Sequence, residues 1–178
     1  QINEKYHNYP LAESYFRKAA EYATDKEDRE NIKNHYRRQI QETALTLSKE
    51  ESYSEAAEEF LRLADEFKGS DDDVVVGLQQ QAIDAYIKSG EYHKAIDLLI
   101  GMTAIRTDEN AVYFLYSSAW GIADSLMHSE SKEMELKNEY IAKNPSSHNS
   151  FVVRYNIIEK VSKDQERKYE AGDLLFTL

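Results

Sequence analysis

The chain has 178 residues, 41% of them apolar and 31% charged, with a formal net charge of −11. That acidity argues against nucleic acid as the main partner, since phosphates would be repelled. The absence of cysteine excludes disulfide staples, thiolate zinc sites and thiol nucleophiles.

Pro10 suits the first turn of a helix, where its missing N–H costs nothing, and that helix should run to about Ala23. Thr24, Asp25 and Asp28 offer caps for a long helix from about Glu27 to Ser48, with Ile32, Tyr36, Ile40, Ala44 and Leu47 on its apolar face. Ser52 and Glu55 have the spacing of a capping box and open a helix to about Phe67. The clearest break is 69–73, where Gly69 can close one helix and the aspartates suit the positive end of the next. That next helix carries Leu78, Ala82, Ile83, Ala85 and Tyr86 and stops near Ser89 and Gly90. A helix from Tyr92 to about Ile105 follows. Another starts at 107–109 and passes through Val112, Tyr116, Trp120, Ala123 and Met127. The polar run from Ser129 to Lys143 forms the next, anchored by Met134, Tyr140 and Ile141. Beyond Asn144 and Pro145, Phe151 to Val161 is apolar and helical, and a last helix begins near Gln165. Val74 to Val76 is the one run with strand character, and it lies beside a helix start. The expected fold is all-α, about nine helices with short connections. No apolar run approaches the ~18 residues of a membrane span.

One face recurs along these helices. Tyr9, Ala12, Phe16 and Ala19 share their spacing with Tyr53, Ala56, Phe60 and Leu63, and with Tyr92, Ala95, Leu99 and Met102. The face restarts at Tyr169, Gly172 and Phe176. These offsets lie on one side of a helix, and the small residue lets a neighbouring helix approach closely. The tyrosines at 9, 53 and 92 are 44 and 39 residues apart, and 77 residues separate Tyr92 from Tyr169. A degenerate copy is therefore expected between them, with its tyrosine slot near Ser131 and apolar positions at Met134 and Ile141. Recurrence at this period points to stacked helical hairpins.

The stretch from Gly90 to Leu99 resembles the second-helix signature of the tetratricopeptide repeat, in which Gly-x-Tyr-x-x-Ala precedes a large residue four positions on. Asn144-Pro145 fits the step that closes such a repeat. The resemblance implies antiparallel helix pairs stacked into a right-handed α-solenoid over 1–178, a single helical-repeat domain. Eight residues before Tyr9 and the apolar run 174–178 suggest a slice of a longer superhelix. The repeat length and the segment Tyr140 to Ser147 also resemble bacterial envelope proteins of this type. That implies a periplasmic or envelope location, with the cytoplasm as the alternative.

No signature of chemistry stands out. The histidines at 7, 35, 93, 128 and 148 lack the three- or four-residue spacing of a helical metal pair. There is no phosphate loop or nucleophile elbow. Carboxylate runs such as Glu58-Glu59 lie on exposed faces, where nothing raises the pKa of a general acid. No cofactor, metal or catalytic residue is expected. The basic groups Lys33, Arg37 and Arg38, and Lys160 to Lys168, read as solvated faces. Of the 13 tyrosines, Tyr6, Tyr15, Tyr22, Tyr113, Tyr116, Tyr140 and Tyr155 are not used by the repeat pattern. They are therefore candidates for a binding surface, whereas Trp120 belongs in the core.

The tetratricopeptide resemblance implies a concave surface built from the first helix of each pair. It places Arg38, Gln41, Leu45 and Lys49 there, then Gln80, Asp84 and Lys88, then Tyr116, and finally Arg154. Such a mixture suits a peptide or a partner helix. The expected function is a non-catalytic scaffold or adaptor for protein–protein interaction. The alternatives are the helical, non-catalytic region of a larger cell-wall or other enzyme, and a ligand-sensing regulatory domain.

Overall fold

The computed structural model describes residues 9–69 and 71–163, with side chains from residue 14 onward. Tyr6, the expected helix near Gln165 and the set Tyr169, Gly172 and Phe176 lie outside the described residues. Among the described residues there are eight helices and no strand: α1 (Tyr9–Tyr22), α2 (Lys26–Lys49), α3 (Tyr53–Phe67), α4 (Asp72–Ser89), α5 (Tyr92–Thr103), α6 (Glu109–Ser125), α7 (Glu130–Lys143) and α8 (His148–Lys163). Val74 to Val76 lie within α4.

Short polar side chains set most of the helix starts. Asp25 accepts the Asp28 N–H at 2.7 Å, and Asp108 accepts that of Ala111 at 2.7 Å. Asp71 and Ser129 cap α4 and α7 in the same way. Each bond satisfies one of the donors that a helix N-terminus leaves unpaired. Ser52 departs from the expected capping box: it occupies the cap position of α3, but its side chain makes no cap bond. There the preceding helix provides the closure. Glu51 takes a left-handed φ of 61°, and the Ser52 N–H reaches back to the Leu47 carbonyl at 2.9 Å, the bonding of a Schellman turn.

The chain divides into two compact units, 1–90 and 91–178. In the first, α2 buries Tyr36, Ile40 and Ala44, α3 buries Ala56, Phe60 and Leu63, and α4 buries Leu78, Ala82, Ile83 and Tyr86. Phe16 of α1 packs its ring 5.4 Å from that of Tyr36. Arg37 lies 4.2 Å above the Phe67 ring and donates to the Glu66 carbonyl at 2.7 Å, one of the orphan acceptors at the end of α3. The ammonium of Lys88 sits 5.5 Å over the Tyr53 ring, joining the end of α4 to the start of α3.

The second unit is built on aromatic rings. Tyr116, Tyr140, Val153, Ile157 and Val161 form one buried cluster, with Tyr113, Trp120, Met134 and Ile141 packed against it. Tyr113, Tyr116 and Trp120 approach Tyr140 edge to face at 5.7, 5.4 and 6.0 Å, the arrangement that ring quadrupoles favour. The Tyr116 hydroxyl donates to Glu139, and Lys160 of α8 donates to Glu133 of α7. These pairings make α6 and α7 antiparallel, and likewise α7 and α8.

Three turns share one backbone shape. Glu51, Gly90 and His128 have φ values of 61°, 79° and 50°, and each precedes the first residue of the next helix by two positions. Those first residues are Tyr53, Tyr92 and Glu130, and Glu130 adjoins Ser131, near which the tyrosine slot of a degenerate copy was expected. Glu130 is 38 residues after Tyr92 and Ser131 is 39, so both lie where half of the 77-residue gap falls. Positions three and seven beyond the slot hold Ala56 and Phe60 in α3, Ala95 and Leu99 in α5, and Glu133 and Lys137 in α7. All but Lys137 are buried, and Lys137 is half-buried.

Candidate functional site

The face of α2 opposite its core carries Arg38, Gln41, Leu45 and Lys49, all exposed, at the three- and four-residue steps of one helix stripe. The Arg38 Nε donates to the Asn34 carbonyl at 3.3 Å, and Leu45 leaves 44% of its surface open among polar neighbours. On α4, Gln80, Asp84 and Lys88 are exposed at four-residue steps, with the Gln80 amide donating to Asp84 at 3.1 Å. Both stripes belong to the first unit.

Tyr116 does not belong to such a surface. It is 1% exposed and lies at the centre of the ring cluster, because its ring faces Tyr140 and its hydroxyl reaches Glu139. Tyr113 and Tyr140 leave the list of surface candidates for the same reason: Tyr140 is buried and Tyr113 packs on the cluster. Tyr15, Tyr22 and Tyr155 are exposed. Trp120 packs against the core as expected. Arg154 is half-buried, with its guanidinium 5.8 Å over the ring of Phe151.

The strongest electrostatic feature of the second unit is Glu133. Its side chain is 6% exposed and holds Lys137 at 2.5 Å and Lys160 at 2.6 Å, while the Lys137 ammonium also sits 5.9 Å over the Trp120 ring. Burial alone raises a carboxyl pKa, but the bonds from Lys137 and Lys160 outweigh it and hold Glu133 below its ordinary value. Lys160 is raised, chiefly by its bond to Glu133. A second group joins Tyr116, Glu139 and Lys143, with both donors on the same Glu139 oxygen at 2.9 and 2.7 Å. The bond from Lys143 lowers Glu139 against its burial, and burial raises Tyr116. Each carboxylate here is an acceptor satisfied by lysines, so the arrangement holds helices together and keeps both carboxylates charged.

The second unit also exposes apolar residues that the repeat pattern did not single out. Phe114 of α6 is 66% exposed, and Phe151 and Val152 of α8 are 49% and 38% exposed. A signal for Phe114 was present in the sequence: from Asn110 to Ala123 the chain runs 14 residues without a charge, although 31% of all residues are charged. Among the described residues no cluster of three His, Asp or Glu side chains is placed to hold a metal, and no helix is long and apolar enough to cross a membrane. No protein-family profile, curated protein or solved structure matches the chain.

Proposed function

We propose that this chain is a non-catalytic protein–protein interaction module, a tetratricopeptide-like solenoid whose helix pairs present their first-helix faces to a peptide or partner helix. The observation that carries this reading is the division of α2 into two faces. One face completes a core with Tyr36, Ile40 and Ala44, while the other displays Arg38, Gln41, Leu45 and Lys49 to solvent. An extended ligand needs polar groups for its backbone and apolar spots for its side chains, and this stripe offers both. Gln80, Asp84 and Lys88 on α4 extend the same kind of surface. The recurrence of one turn shape at 51, 90 and 128 supports the repeat reading.

The test is a binding measurement on an array of peptides with the purified chain. Arg38→Glu combined with Gln80→Glu should weaken captured peptides about tenfold, the loss of one or two good contacts. Asp97→Lys, an exposed position on α5, should leave them unchanged. The opposite pattern would assign the binding surface elsewhere, and substrate turnover by the chain alone would make it an enzyme.

A further inference from the structure

We infer that the exposed faces of α6 and α8 form a docking channel for an uncharged, extended peptide stretch, with Phe114 as its apolar anchor. This rests on the reading of the chain as a peptide-binding module and names what its second unit takes. Because α6 and α8 are each antiparallel to α7, they point the same way. The Asn149 amide donates to the Asn110 carboxamide oxygen at 3.4 Å and sets the starts of the two helices side by side. One turn further along come Phe114 on α6 and Val152 on α8; a turn beyond those come Ser118 and Asn156.

None of these six side chains is needed to build the core. The buried side of α6 is supplied by Leu115, Tyr116, Ala119, Ile122 and Ala123, and that of α8 by Val153, Ile157 and Val161. Phe114 nevertheless keeps 66% of its surface in water, an exposure that costs hydration free energy until something covers it.

The chemistry of the channel selects its occupant. No charge interrupts α6 between Asn110 and Ala123, or α8 between His148 and Val153, in a chain of net charge −11. Arg154 lies two positions from both Val152 and Asn156, hence on another side of the helix, and its guanidinium lies over Phe151. A charged ligand would surrender hydration here without meeting an opposite charge. A neutral strand loses little, because each carboxamide has two donor hydrogens and an accepting oxygen. The Asn110–Asn149 bond uses one donor and one acceptor, which leaves the rest for a peptide backbone.

End-blocked peptides of about ten residues, long enough at ~3.3 Å per residue to overrun the channel, test the inference in three pools. One contains only Ala, Val, Leu, Ser, Thr and Asn, one adds Asp and Glu, and one adds Lys and Arg. The uncharged pool should bind with an affinity independent of salt and shift the backbone amide resonances of Asn110, Phe114 and Asn149. Phe114→Ala should weaken it about tenfold with the thermal midpoint unchanged, and Val152→Lys, at the neighbouring exposed site on α8, should do the same. Binding confined to charged pools, with shifts at Arg38 and Lys49, would overturn this inference and leave the peptide-module reading standing. Binding by no pool would overturn both. Concentration-dependent dimers abolished by Phe114→Glu would overturn it in favour of a second copy of the chain as the occupant.

Discussion

Lys137 lies one helical turn beyond Glu133 and bonds to it at 2.5 Å, and the two fill positions that hold alanine and a large apolar residue in α3 and α5. An ion pair stands where those helices have a small–large packing pair, and Lys160 from α8 completes it. Removing one partner of such a pair strands the other, whereas replacing both with apolar groups removes the desolvation cost as well. Glu133→Ala should therefore cost about 2 kcal/mol, at the low end for a buried pair because the Lys160 side is wet. The double variant Glu133→Ala with Lys137→Leu should return to within ~1 kcal/mol of the wild type. Denaturant melts of the two single variants and the double variant measure the coupling, and strict additivity would refute it.

The same cluster makes stability depend on pH. Glu133 is held below its ordinary pKa, so its contribution is fully present above that ordinary value and is lost as pH falls through the lowered one. Lys160 is held above its ordinary pKa, so its contribution is present below that value and fades as pH rises through the raised one. The thermal midpoint should accordingly plateau between about pH 5 and pH 10. Glu133→Gln should flatten the acid limb, and an unchanged acid limb in that variant would show that other carboxylates govern it.

The left-handed turns predict opposite outcomes for two substitutions. At Gly90, φ is 79° and an added Cβ would meet nothing within 4 Å. Gly90→Ala should therefore cost only the backbone penalty, about 1 kcal/mol. Glu51 already bears that penalty at φ 61°, so Glu51→Gly should stabilise by roughly 0.5 kcal/mol after glycine's larger entropy loss. Chemical denaturation of the pair resolves both signs.

Ala95 and Ala56 are each 0% exposed, with no room or partner for a charge. Ala95→Glu should destabilise by about 3 kcal/mol or more. A melting midpoint equal to the wild type would mean that the small position is not a tight helix contact.

Helix boundaries were legible in the sequence because caps and apolar spacing are local signals. Asp25 caps as expected, α4, α6 and α7 begin at the expected breaks, where Asp71, Asp108 and Ser129 are the caps, and Ala95, Leu99 and Met102 are buried as the recurring face required. Long-range partners were not legible. Tyr116 falls on a surface when counted back from a slot, yet three-dimensional neighbours decide its fate, and those are the ring of Tyr140 and the carboxylate of Glu139. A search for apolar residues passes over Glu133 and Lys137, and it cannot foresee that Glu133 is also met by Lys160, 27 residues away. For the candidate surfaces, the stripe on α2 came from the resemblance to the tetratricopeptide signature, whereas Phe114 had only the charge-free run from Asn110 to Ala123 to mark it, and such a run does not say which ring stays in water.

A helix that buries Ala and Phe can lie against many neighbours, because apolar contact asks only for shape. α7 is more selective. Its inward carboxylate accepts only a neighbour that brings a cation to the right height, as α8 does with Lys160. The ion pair therefore works as a label of order along the chain: it lets α8 dock here and makes any helix without that lysine a poor substitute.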